Sequence, residues 1–89
     1  MITLKRLRGL LDYNHITGVF TCLKDIRKRL KVGDTVTALQ SEGYNIIFLE
    51  GTHYLLQDLA MYYMTGAYPQ RDVEHINGIR TDNRYANLK

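Results

Sequence analysis

Val73-Glu74-His75-Ile76-Asn77-Gly78-Ile79-Arg80-Thr81-Asp82-Asn83-Arg84-Tyr85-Ala86-Asn87-Leu88-Lys89 is the stretch on which the reading of this 89-residue chain turns. Asn-Gly favours a type I′ turn, so Asn77-Gly78 predicts a hairpin between residues 73–76 and those after Gly78. Thr81-Asp82 offers a cap for a helix beginning near Asn83-Arg84 and containing Asn87 and Leu88, and Asp82 and Asn83 read as capping residues. Such a hairpin and helix would carry an acid and an imidazole, Glu74 and His75, on the first arm and an amide, Asn87, on the helix.

Upstream, Leu56, Leu59, Ala60, Tyr63 and Met64 fall at the spacing of one helical face, with Gly66 as the stop and Pro69 beyond it. Tyr63 lies on that stripe and is expected in the core, while Tyr62, Tyr68 and Tyr85 are expected at the surface. Earlier still, Val19–Leu23, Thr35–Leu39, Tyr44–Leu49 and Thr52–Tyr54 read as an antiparallel meander, with turns at Ser41-Glu42-Gly43 and Glu50-Gly51. Leu4, Leu7, Leu10 and Leu11 after Thr3 predict a short first helix ending near Asp12, followed by turn formers to Gly18. The fold class is therefore α+β: a short N-terminal helix, a small antiparallel sheet, one helix packed on it, and a C-terminal hairpin with a shortened helix.

With 45% hydrophobic residues and one Pro, the chain is long enough for one domain with a small core, and too short for a multi-domain enzyme. The single Cys22 excludes an internal disulfide framework and a Cys-rich zinc site, and its strand pattern marks a core thiol. His15, His53 and His75 lack metal-ligand spacing. Met1 precedes a short basic, Leu-rich stretch, not a run of signal-peptide or membrane-span length, so an intracellular, membrane-free protein is expected.

Charge is segregated. Residues 1–32 hold eight cations (Lys5, Arg6, Arg8, Lys24, Arg27, Lys28, Arg29, Lys31) against two anions, residues 33–74 one against six, and residues 75–89 three against one. A basic block of this kind suggests an anionic partner, nucleic acid first, although a run such as residues 25–31 is more often a solvated loop or helix face than a binding surface.

The stretch Glu74–Lys89 resembles the signature of phage HNH homing endonucleases, roughly D-H-I-N-G-x-R-x-D-N-R-x-x-N-L-R. Leu11-Asp12-Tyr13-Asn14, Thr17-Gly18-Val19-Phe20, Gly43-Tyr44 and Leu59–Gly66 with Pro69 are similar to the segments that precede it, so the resemblance covers nearly the whole chain as a single domain, 1–66 as helix, sheet and central helix and 67–89 as a partial HNH motif. It implies a ββα-metal site in which His75 is the general base, Asn87 orients the imidazole, and Glu74 is the acidic ligand of Mg²⁺ or another divalent cation. It implies double-stranded DNA as the partner, with Lys5, Arg6, Arg8, Lys24, Arg27, Lys28, Arg29, Lys31, Arg80 and Arg84 on phosphates, and a phage-encoded protein working in the cytoplasm of a bacterial host.

Four departures from that pattern point to reduced cleavage. Glu74 stands where the family has Asp; the motif stops at Lys89, before a later Asn or His that supplies a second ligand; Gln57-Asp58 replaces the common His-Arg; and the middle block is acidic. The leading expectation is a DNA-binding protein with weak or lost metal-dependent phosphodiester cleavage. An alternative of another class is a co-opted inhibitor of a host defence or nucleic-acid-processing protein, of anti-CRISPR or anti-restriction type, docking through Asp58, Tyr68 and Asp72. A third is an active small nicking endonuclease.

Overall fold

The computed structural model describes residues 1–36 and 39–89. Thr3 caps the first helix, α1 (Leu4–Leu10), its Oγ1 accepting the Arg6 N–H at 3.1 Å, and Leu7 and Leu10 turn inward. The helix does not run on to Asp12: β1 (Leu11–Asn14) starts at once and pairs antiparallel with β2 (Val19–Cys22), Leu11 opposite Cys22 and Asn14 opposite Val19. The alternation Leu11 in, Asp12 out, Tyr13 in, Asn14 out is a strand pattern that the helical spacing of the leucines hides.

A second sheet holds β3 (Leu39–Ser41), β4 (Tyr44–Leu49) and β5 (Thr52–Leu55) in that order, all antiparallel. Its two turns are the expected ones. Both central residues have positive φ, Glu42 53° with Gly43 80°, and Glu50 48° with Gly51 85°, as two-residue I′ hairpins require. The single meander is thus two sheets, and Thr35 adds an isolated bridge to Thr21 at the edge of the first. Of the strand expected at Thr35–Leu39, residues 37 and 38 lie outside the described residues.

The helix α2 (Leu56–Thr65) ends at Gly66, whose φ of 80° closes it through an N–H to the Tyr62 carbonyl. Its buried face is Leu56, Leu59, Ala60, Gln57 and Tyr62. Of the two adjacent helix tyrosines it is Tyr62, not Tyr63, that is buried in the core. The Tyr62 hydroxyl donates to the Ile2 carbonyl at 3.1 Å and the Ile2 N–H donates to the Tyr54 hydroxyl at 2.7 Å, which sews the N-terminus to β5 and α2. Tyr63 is half-buried under the Arg8 guanidinium, and Tyr68 is half-buried edge-on to Tyr54 and Tyr62.

Phe20, Leu7, Leu11, Leu49, Leu59 and Cys22 are the largest fully enclosed side chains, and burial pushes the Cys22 thiol pKa up, as suits a core thiol. The Cα radius of gyration, 12.0 Å, is that of a close-packed chain of this length. Among the described residues no helix is long and apolar enough to cross a membrane.

Candidate nuclease-like site around His75

The C-terminal segment makes a hairpin, but with other arms than Asn77-Gly78 predicts. Glu74 and Lys89 exchange backbone hydrogen bonds (2.8 and 3.1 Å), the Ile76 N–H reaches the Asn87 carbonyl at 2.8 Å, and His75 bridges Leu88. The first arm therefore pairs with the last residues of the motif. A type I′ turn needs positive φ at both central residues, and here only Gly78 has it, at 75°. The chain instead turns at residues 75–78, with the Gly78 N–H on the His75 carbonyl at 3.0 Å, and loops out before returning.

That loop is a succession of side-chain-capped turns. Asn77 Oδ1 accepts the Ile79 N–H at 2.9 Å and Asp82 Oδ1 accepts the Arg84 N–H at 3.3 Å. The expected helix shrinks to one 3₁₀ turn, Tyr85–Asn87, because the loop's hydrogen bonds already engage the residues before it. Asp82 is forked by Arg84 Nε and Nη2 (2.8 and 2.7 Å) and receives Asn77 Nδ2 (2.8 Å), so its carboxyl is held well below the usual carboxylate range, the Arg84 hydrogen bond being the main cause.

Two buried asparagines divide the work. Asn87 does not touch the imidazole. Its Oδ1 accepts the Asn77 N–H (3.0 Å) while its Nδ2 donates to Asn77 Oδ1 (3.0 Å) and the Asp82 carbonyl (2.9 Å), which staples the two ends of the loop. The amide on His75 belongs to Asn83: Oδ1 stands 2.8 Å from Nε2 and accepts its N–H. This corrects the reading of Asn83 as a capping residue and of Asn87 as the imidazole's partner. Nothing local in the sequence separates the two, since Asp82-Asn83 satisfies cap preference and both asparagines lie in the same motif. With the proton on Nε2, Nδ1 keeps its lone pair.

His75 lies on a groove of about 690 Å³ together with Tyr44, Arg80, Glu74, Asp58 and Asp72. The Tyr44 ring faces His75 at 5.9 Å, and the Arg80 guanidinium lies over Tyr44 at 4.7 Å while Nη1 donates to the Glu42 carbonyl at 2.5 Å. Burial, then Asp72, pushes the Asp58 carboxyl up. Gln57, which also lines the groove, has its Oε1 buried without a hydrogen-bond partner among the described residues, a cost of about 1–3 kcal/mol.

Of the cations expected on phosphate, most arginines are already engaged. Arg6 pairs with Glu50 at 2.6 Å, Arg8 donates to the Tyr63 carbonyl at 2.6 Å, Arg27 donates to the Phe48 carbonyl, and Arg84 is held by Asp82. Lys31 stands 4.0 Å from Asp25. Lys5, Lys24, Lys28 and Arg29 are exposed with no ion pair or side-chain hydrogen bond among the described residues, and Lys5, Arg6 and Lys24 share a shallow cleft. Of the three residues of the inhibitor reading, Asp58 and Asp72 face the groove and Tyr68 packs inward.

For a divalent cation the donor set is sparse. Among the described residues no three His, Cys, Asp or Glu side chains are grouped to hold a metal ion. Glu74, exposed and 3.7 Å from Lys89 Nζ, is the carboxylate beside His75. One carboxylate suits an ion held largely by water and substrate phosphate oxygens, and does not suit a self-contained protein cage.

No curated protein and no solved structure matches the chain. Residues 54–89, however, match the family model described as HNH endonuclease. Residues 54–89, which supply His75 and most of its groove while Glu42 and Tyr44 come from outside them, are thus related to the HNH endonucleases.

Proposed function

We propose that this chain is a DNA-binding protein of the phage homing-endonuclease type that hydrolyses phosphodiester bonds slowly at His75. The HNH relationship supports a nucleic-acid-binding, nuclease-like function, and the observation that carries the rest is the Asn83–His75 contact. It holds the ring through Nε2 and leaves Nδ1 as the nitrogen able to accept a proton, which is what a general base needs.

In the reaction, Nδ1 takes a proton from water as the water oxygen bonds to phosphorus and the bond to the departing sugar oxygen breaks, that oxygen taking its proton from solvent water. Arg80, the one cation among the described residues that line the groove, offers its guanidinium to the phosphate. A divalent cation, which Glu74 would hold, would supply positive charge against the negative charge that builds on the phosphoryl and departing oxygens. The slowness follows from the remainder of the lining: Glu42, Asp58, Asp72 and Glu74 repel a phosphate that a single arginine attracts.

The test is nicking of supercoiled plasmid with Mg²⁺ or Mn²⁺, with DNA binding measured in parallel. Metal-dependent nicking that falls by about 10²-fold or more in His75→Ala is the expected result. Equal nicking by both proteins, or DNA binding with no nicking by the intact protein, overturns the cleavage reading.

A further inference from the structure

The loop that presents Asn83 to His75 rests on a hairpin some 70 residues away in sequence. The buried Tyr13 hydroxyl donates to the Asn83 carbonyl at 2.5 Å. Its ring is fixed between Phe20 at 4.7 Å and Tyr63 at 5.8 Å, so the hydroxyl has a set position. At the hairpin tip, Gly18 has a φ of 75°, and a Cβ there would lie 2.4 Å from the Arg84 nitrogen, 2.5 Å from the Asn83 carbonyl carbon and 2.9 Å from its oxygen. No side chain fits without moving that backbone. The Tyr85 N–H closes the contact on the His15 carbonyl at 3.1 Å.

Three consecutive residues, 83 to 85, are therefore seated on β1, β2 and their turn. The Asn83 side chain, itself 3% exposed, runs from that seat to His75 Nε2. The hairpin lies outside residues 54–89, so the part of the chain related to HNH endonucleases does not contain its own support.

We propose that Tyr13 and Gly18 are positioning residues for His75, acting through the backbone of Asn83. The kinetic arm of this inference rests on the cleavage reading above; its spectroscopic arm does not. A shift of about 1 Å in a supporting group is enough to cost roughly 10²-fold in a reaction that depends on alignment.

The experiment compares the intact protein with Gly18→Ala, Tyr13→Phe and, as a control on the same hairpin, Ile16→Ala, whose side chain is 68% exposed. Plasmid nicking gives kcat and KM, and ¹⁵N shifts of the His75 ring report which nitrogen carries the proton. Expected are a kcat lowered about 10²-fold in Gly18→Ala and about 10-fold in Tyr13→Phe, with KM unchanged. In both, the His75 ring loses the single Nε2–H form that the Asn83 contact favours in the intact protein, and Ile16→Ala matches the intact protein throughout. If Gly18→Ala does not fold, Tyr13→Phe, which keeps the ring packing, carries the comparison. His75 shifts in folded Tyr13→Phe identical to those of the intact protein overturn the proposal. If the intact protein nicks no DNA, the cleavage reading fails alone and the ¹⁵N comparison still decides whether the hairpin positions His75.

Discussion

Asp82 shows how one side chain can hold a loop that has almost no regular structure. Its carboxylate gathers Arg84 and Asn77, and those bonds favour the ionised form in the folded chain over the same group in the unfolded one. A carboxyl lowered on folding contributes stability that is full above its unfolded pKa and is lost as pH falls through its folded one. Asp82→Asn should therefore lower stability at pH 7 by about 0.5–1 kcal/mol, the scale of a solvent-screened pair. The gap between variant and parent should narrow as the pH drops below about 4, because the unfolded chain then takes up a proton that the folded carboxylate still resists, and should close only once the folded group is protonated as well. Thermal unfolding across that range checks this, and a gap that widens in acid contradicts it.

At the scale of elements, α2 has a clean stop and an imperfect start. No side chain caps its N-terminus at Leu55, whereas Gly66 takes the left-handed conformation at its end. A Cβ on Gly66 would meet only Leu4 Cδ2, at an ordinary 3.7 Å, so Gly66→Ala isolates the backbone term. It should cost about 1–2 kcal/mol, a fall in Tm of very roughly 4–16 °C for a domain of this size. An unchanged Tm would mean that the helix end relaxes into another cap. The helix face was only partly legible: Leu56, Leu59 and Ala60 follow the stripe, but Tyr62 and Gln57 are buried in place of Tyr63 and Met64. Periodicity locates a face to within a residue or so around the helix; whether Tyr62 or Tyr63 goes inside depends on Ile2 and Arg8, which arrive from another element.

For the whole molecule, the charge blocks overstate the surface available to DNA. The basic first third spends Arg6, Arg8 and Arg27 on Glu50, Tyr63 and Phe48, and so uses cations to pin α1 and the 24–31 segment to the rest of the fold. Lys28 and Arg29 stay exposed. Replacing both by Ala should reduce the slope of log K against log salt by about 2, at close to 0.9 per phosphate contact. Arg27→Ala should leave that slope nearly unchanged and lower Tm. A slope carried by Arg27 alone would show that its bond to the Phe48 carbonyl opens in the complex.

The chain's own residues were enough to determine the fold class, the places of the two hairpin turns at 42–43 and 50–51, the end of α2 and the presence of an acid–His pair in an HNH-like stretch. Those features are local: each depends on the φ preference, the period or the identity of neighbours in sequence. Tertiary structure alone decided that Asn83 and not Asn87 meets His75, that the motif's first arm pairs with residues 87–89, and that Tyr13 and Gly18 lie beneath Asn83. Those outcomes depend on distances between segments up to 70 residues apart, and two asparagines four positions apart with the same chemistry differ only in what the folded chain brings within reach.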